Sequence, residues 1–395
     1  MVRILSFVAL LGCIAAPAMG QGILTSQAQS PAAAPVKLIP RSHAERERRY
    51  RDLHHIVLNV LALDASYNAA TGLKAEDFSL MDNGQPQVLS SFRAVMGDRS
   101  IAPPHIVLIL DALNNTTRSI AYEVKEIGKY LELNQGRLPY PTSIAVLTTS
   151  GLKASGASTD GSELLQKSRT LFKGIRPYEC KSASENGTQA QPLTGHGGWN
   201  IGMSVEKVDD GNCLNERFAQ SLTALGNLTA AQKNAPGRVM LIWIGPGWPL
   251  LTGAEFHRDT PETKAIFFDH VVEMSRTLRE AQVTIDAVYS PDMFRRGEMQ
   301  SVLAKSLTEG PRTEQQATAS DLALEAIATQ SGGRVLESKN IADQIEKFVE
   351  DEQTYYALSF DSPSASKPVE YHSLQVKVNK PGVKVFTSTL YYAEP

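Results

Sequence analysis

Uninterrupted apolar runs in the middle of the chain, separated by stretches at helical spacing, restrict most severely what it can fold into. His105-Ile106-Val107-Leu108-Ile109-Leu110-Asp111 and Arg238 through Gly245 (RVMLIWIG) lack the polar alternation of a half-wetted strand. Such runs suit strands covered on both faces, as in a parallel sheet between two helical layers. Ile120, Val124, Ile127 and Leu131 follow the first run at helical period, and Ser143 to Thr149 reads as the next strand. Asp160 is placed to cap a helix through Leu164, Leu165, Ser168 and Phe172. Phe218, Leu222, Leu225 and Leu228 mark another helix, stopped by Pro236-Gly237 before the second run. A helix through Val271, Met274 and Leu278 precedes the strand Val283 to Tyr289, and a helix over Ala323 to Gln330 ends at Gly332-Gly333. The expected class is α/β: a Rossmann-like, mostly parallel sheet with helices on both faces.

The flanks change period. His55 to Asp64 is an apolar strand, and Asp82-Asn83-Gly84 is a hairpin signal because Asn-Gly tolerates positive φ. Val88 to Val95 adds a strand, and the tail returns to β over Tyr355 to Phe360, Leu374 to Val378 and Val383 to Tyr392. The expected organisation is an N-terminal β module over 46–98, an α/β domain over 102–350 with an insertion at 174–213, and a C-terminal β segment over 351–395. Periodicity leaves open whether the two β regions join.

The N-terminus bears on compartment. Arg3 precedes an apolar stretch, Ile4 to Ala16, and Ala18 and Gly20 supply small residues before a cut at Gln21. That is the layout of a secretory signal peptide over 1–20, followed by an Ala-, Pro-, Ser- and Gln-rich tether over 21–45. The stretch falls short of the ~20 residues that span a bilayer. Lipidation at Cys13 is disfavoured, since the apolar region before it is short and Leu11 stands where a small residue is usual. Export to a periplasm or the exterior would leave Cys180 and Cys213, which most simply pair in an oxidising compartment. No second apolar span follows. With 42 acidic against 39 basic residues, the chain has no global field for nucleic acid or anionic membranes.

Over nearly the whole mature length the sequence resembles the von Willebrand factor A-related family described from Acidobacteria. The matching stretches begin with Gly72 through Phe78 and Asp82-Asn83-Gly84-Gln85-Pro86, then Leu108 through Asn114. Pro236-Gly237-Arg238, Leu241-Ile242-Trp243-Ile244, Gly332-Gly333-Arg334, Tyr355 through Phe360 and the tail from Val376 to Tyr392 follow in order. The resemblance implies an A-type fold with an antiparallel edge strand around Leu152 to Ser158. It brings no established activity. In A-domains an Asp-x-Ser-x-Ser loop, with a Thr and a second Asp, holds Mg²⁺ or Mn²⁺. Here Asp111-Ala112-Leu113-Asn114-Asn115 takes that place, keeping the Asp, and the strand that would supply the second carboxylate ends at Gly245. Asp111 and Asn115 remain as ligands of at most a weak Mg²⁺ or Mn²⁺ site. Helix capping by Asp111 or Asn114 is the competing and favoured reading.

The same path would put the insertion between Cys180 and Cys213 beside the Asp111 loop, where open α/β sheets bind ligands. Thr194, His196, Trp199 and Asn200 suit a recognition loop there, and a surface loop whose Trp packs on its own staple suits them equally. The chain lacks Gly-x-Ser-x-Gly, His-Glu-x-x-His, P-loop and dinucleotide fingerprints, and no catalytic residue is assigned. The expected function is non-enzymatic: an exported adhesion-type protein binding a protein or envelope component through Asp111, Asn114, Asn115 and the insertion. A structural module with an inert face, and an unrecognised hydrolase, are the alternatives.

Overall fold

The computed structural model describes residues 54–97, 102–178, 209–248, 260–290 and 309–395. Four strands precede the α/β region: β1 (His55–Leu63), β2 (Phe78–Asp82), β3 (Gln85–Gln87) and β4 (Ser91–Met96). Asn83 and Gly84 form the two-residue turn between β2 and β3 with φ of 48° and 76°, as the Asn-Gly signal requires. Next come β5 (His105–Asp111), α1 (Thr117–Glu132), β6 (Arg137–Thr148), β7 (Gly151–Ala154), β8 (Ser158–Asp160) and α2 (Gly161–Leu171). Then follow α3 (Asp209–Ala231), β9 (Val239–Ile244), α4 (Pro261–Glu280), β10 (Val283–Tyr289), α5 (Leu324–Gln330), β11 (Val335–Glu337) and α6 (Ile341–Asp351). The tail is β12 (Thr354–Asp361), β13 (Glu370–Val378), β14 (Lys384–Phe386) and β15 (Leu390–Ala393).

The central sheet has the order β11-β10-β9-β5-β6-β7, with β8 also on β6. All pairs from β11 to β6 are parallel, whereas β7 and β8 run antiparallel on the same edge. The edge expected around Leu152 to Ser158 is thus two short strands on successive parts of β6, with a register shift within the β6–β8 pairing. Every residue of β9, and all of β5 after His105, is buried. Val107, Ile109, Leu241 and Ile285 share one core with Phe218 and Leu222 of α3, Phe267 of α4 and Ile327 of α5. Ile106, Leu108, Ile144 and Ile242 share the opposite core with Ile127 of α1, Leu164 of α2 and Phe348 of α6. Each sheet face therefore has its own helical layer. Asp160 caps α2 as its position implied, accepting from the backbone N–H groups of Ser162 and Glu163 at 2.8 and 3.2 Å.

The flanking strands pair across the whole α/β region. One antiparallel sheet has the order β14-β1-β12-β4 and the other β15-β13-β2-β3. Ile56, Leu58 and Val60 of β1 meet Leu80 of β2, Phe360 of β12 and Tyr391 of β15 in a single core. The N- and C-terminal β regions thus complete one two-sheet layer, with the α/β segment entering after β4 and leaving before β12.

The glycine-arginine motifs lie at that junction. A Cβ on Gly333 would fall 1.9 Å from the Ile285 carbonyl oxygen, so only glycine allows the chain to pass β10 there. Next to it, buried Arg334 reaches Asp351 at 2.6 Å and Asp286 at 3.3 Å, its guanidinium 4.6 Å from the Phe348 ring centroid. Burial alone would lower its pKa, but Asp286 and Asp351 outweigh that and raise it, keeping the guanidinium charged. Arg238 pairs with Glu352 at 2.8 Å and lies 4.0 Å over the Tyr355 ring.

Candidate functional site

In the central sheet, β5 is where the strand order reverses: the chain leaves it through α1 toward β6 and reaches β9 through α3 on the other face. The crevice at the carboxyl ends of β5 and β9 is the usual ligand position in open α/β sheets. Asp111 ends β5 in this crevice, with 0% of its surface exposed.

Both Asp111 carboxylate oxygens are occupied by donors of the protein itself. The Asn114 backbone N–H donates to Oδ1 at 3.0 Å, and the Asn114 amide reaches Oδ1 and Oδ2 at 3.1 and 3.0 Å. The Trp243 indole N–H donates to Oδ2 at 3.1 Å. Asn114 also donates to Ser221 Oγ at 2.8 Å, and its carbonyl oxygen accepts from Arg217 Nε at 3.2 Å. Asp111, Asn114 and Arg217 thus form a relay from the strand end to α3. Burial pushes the Asp111 carboxyl above the usual range, opposed by Asn114, Trp243 and the Arg217 charge. Burial likewise lowers the Arg217 guanidinium, and Asp111 opposes that.

Asn115 turns away from this network. Its amide N–H donates to Glu123 Oε2 at 2.6 Å, and its own oxygen accepts from the Thr116 backbone N–H at 2.9 Å. Glu123 is fully buried and its Oε1 has no partner, so desolvation first, and Asp111 second, push its carboxyl well above normal. The cap of α1 is neither Asp111 nor Asn114, as capping had been expected, but Thr116. Its hydroxyl accepts from the Ser119 N–H at 3.3 Å. Asp111 is unavailable because Trp243 and Asn114 hold it.

Mg²⁺ or Mn²⁺ does not fit this donor set. The Asp111 oxygens and the Asn115 oxygen each accept from a protein N–H, and a cation would have to displace Asn114 and Trp243 from a closed position. An acid at position 245 would be strained: the backbone φ there is 133°, and a Cβ would crowd Asp111 Cβ at 3.0 Å and Asn115 Nδ2 at 3.4 Å. Among the described residues, no group of three or more His, Cys, Asp or Glu side chains is arranged to hold a metal.

Thr194, His196, Trp199, Asn200 and Cys180 lie outside the described residues. Cys213 is buried near the start of α3 and is disulfide-bonded. Arg217 follows it by one helical turn. Trp243, Ser221, Arg217 and Glu123 escaped sequence reasoning. Trp243 sits in an apolar run and reads as core, and the only hint for Arg217 was a charge beside the buried Phe218 stripe.

No family model and no curated protein matches the chain. Among solved structures it is similar to the human COPII-coat protein Sec24c, with 8% identity and a TM-score of 0.33 over 77% of this chain and 46% of that one. The pilus adhesin SpaC from Lactobacillus rhamnosus GG gives 8% identity and a TM-score of 0.32 over 74% and 45%. The pilus adhesin RrgA from Streptococcus pneumoniae gives 9% and 0.19 over 51% and 28%. The chain spans less than half of each, and likeness at this level carries no argument about function.

Proposed function

We propose that this chain is an exported, non-enzymatic binding protein with a von Willebrand factor A-like domain, recognising a protein or envelope component through its top face, the carboxyl ends of β5 and β9. The carrying observation is the Asp111–Asn114–Arg217 relay at the sheet's reversal point. It fixes a half-buried guanidinium by Nε and leaves its two terminal nitrogens without a partner among the described residues. A guanidinium so held is a preorganised donor fork for a carboxylate on a partner. Recognition is then independent of a cation, because the internal donors have taken over the Asp111 oxygens. A Cys180–Cys213 disulfide would tie the insertion to α3 one turn before Arg217, and Thr194, His196, Trp199 and Asn200 of the insertion are proposed to take part in the same recognition.

The side-chain constellations among the described residues support a binding role over catalysis. His55, Asp361 and Ser90 lie together at the surface, but Asp361 stands between the other two, at 2.9 Å from each. His55 therefore cannot take the Ser90 proton. His372, Asp82 and Tyr391 are enclosed in the core between the flanking sheets. One observation favours the rival reading of a structural module with an inert top face: Asp111 itself is sealed from solvent. Site-specific photocrosslinking separates the two. A crosslinker at exposed Arg118, at the start of α1, should give a saturable adduct with an exported component. That adduct should vanish in Arg217→Ala and be absent from a crosslinker at exposed Lys377. No adduct at Arg118, or one unaffected by Arg217→Ala, would favour the inert module.

A further inference from the structure

A second site lies away from the top face, where α4 and β10 meet the flanking strands. A half-enclosed cavity of about 40 Å³ opens there between Val57 and Asn59 of β1, Ser275 and Arg279 of α4, and Leu374 of β13. That is room for two or three waters, or for a molecule the size of acetate. Arg279 Nε is buried and has no hydrogen-bond partner. Its nearest acid in sequence, Glu280, is taken by Lys233 at 2.7 Å, and among the described residues no carboxylate pairs with Arg279. Arg276, one turn earlier, has Glu394 at 3.0 Å and Glu273 at 3.7 Å. The two arginines of this turn thus differ: one is neutralised at the surface, the other half-buried with a free fork.

Leaving a guanidinium desolvated and unpaired is costly, and the carboxyl end of α4 offsets only part of that cost through its dipole. Burial lowers the Arg279 pKa, which reflects the same unmet demand for an anion. The walls supply what a small amphiphilic anion needs. Val271, Met274 and Leu278 offer an apolar side, Asn59, Gln282 and Ser388 offer hydrogen bonds, and the acid of the lining, Asp321, has its Oδ2 occupied by the Thr318 backbone N–H and hydroxyl. Pockets of this composition at the seam of two layers commonly hold ligands. We propose that this cavity binds a small carboxylate, formate or acetate in size, with its oxygens on the Arg279 fork and its carbon toward Met274. The bound anion ties α4 to the flanking sheets by neutralising the Arg279 guanidinium, which is unpaired among the described residues. This site stands independently of partner recognition at the top face.

The test is thermal unfolding of the full chain in sodium acetate or sodium formate against sodium chloride at equal ionic strength. Wild type should gain about 2 °C for each tenfold rise in acetate above its dissociation constant. Arg279→Met should lose this response and match or exceed wild type in anion-free buffer, because the unpaired charge is gone. Ser275→Leu keeps Arg279 but fills the cavity, and should lose the response as well. Should Arg279→Met fail to fold, Ser275→Leu decides the matter alone. An equal gain from chloride, no saturable gain in wild type, or a response retained in either variant would overturn the proposal.

Discussion

Replacing Asn114 by alanine removes the one side chain that joins Asp111, Ser221 and Arg217. Its amide bonding shared between the two Asp111 oxygens and its bond from Arg217 involve charged groups, each of these two links contributing roughly 1.5–3 kcal/mol, and the bond to Ser221 adds about 1 kcal/mol. The sum overstates the loss. Asp111 keeps the backbone N–H of residue 114 and the Trp243 indole, and the half-buried Arg217 can turn to water. A cost of about 3 kcal/mol at neutral pH is the working figure, near the lower end for breaking a buried charge pairing. The pH dependence is more telling than the size. Burial already holds the Asp111 pKa above its unfolded value, and losing Asn114 must raise it further. A carboxyl with a raised folded pKa contributes its full stability below the unfolded pKa, near 3.8, and loses it as pH rises through the folded value. The defect in Asn114→Ala should therefore be largest at about pH 7.5 and shrink toward about pH 4.5. Urea unfolding at the two pH values, followed by tryptophan fluorescence, measures both numbers. A loss below about 1 kcal/mol, or one equal at both pH values, would refute the buried relay.

Further predictions concern the neighbouring groups. Trp243→Phe keeps the ring in the core but removes the donor to Asp111, and should cost about 2 kcal/mol in the same urea assay. Glu123→Gln removes a carboxyl whose pKa is raised well above normal while keeping an acceptor for Asn115. Its melting temperature should exceed wild type by more at about pH 8 than at about pH 5, and an equal difference would contradict the burial reading. Arg334→Met strips the partner from Asp286 and Asp351 and should destabilise by about 3–5 kcal/mol, measured by denaturant midpoint. Gly333→Ala places a methyl group 1.9 Å from the Ile285 carbonyl oxygen and should prevent soluble expression of the folded chain.

What could be read from the sequence follows from the range of the interactions. The central sheet was legible because β5 and β9 carry their burial in their own composition, and the hairpin because Asn83-Gly84 encodes its turn locally. The cap of α2 was legible for the same reason, since Asp160 bonds only two and three residues ahead. Asp111 stood out as a carboxylate ending an apolar run, but its role did not. Its partner Trp243 lies 132 residues away, and Arg217 lies 103 residues from Asn114. Local logic therefore favoured a helix cap, and Thr116 holds that place. The alternation of β13 announced one buried face, but its sheet is completed by β2, nearly 300 residues earlier. Arg238 and Arg334 read as motif residues without a task. Both are spent on buried acids at the junction rather than on a ligand.

The measurement that bears most directly on a top face held by the protein's own donors is the affinity of the Arg118-crosslinked partner for wild type and Arg217→Ala, in EDTA and in Mg²⁺. A guanidinium-anchored face predicts equal wild-type affinity in both buffers and a loss of at least about tenfold in Arg217→Ala, the scale of one charge-assisted contact. Binding abolished by EDTA and indifferent to Arg217→Ala would contradict it, and would return Asp111 to a metal ion.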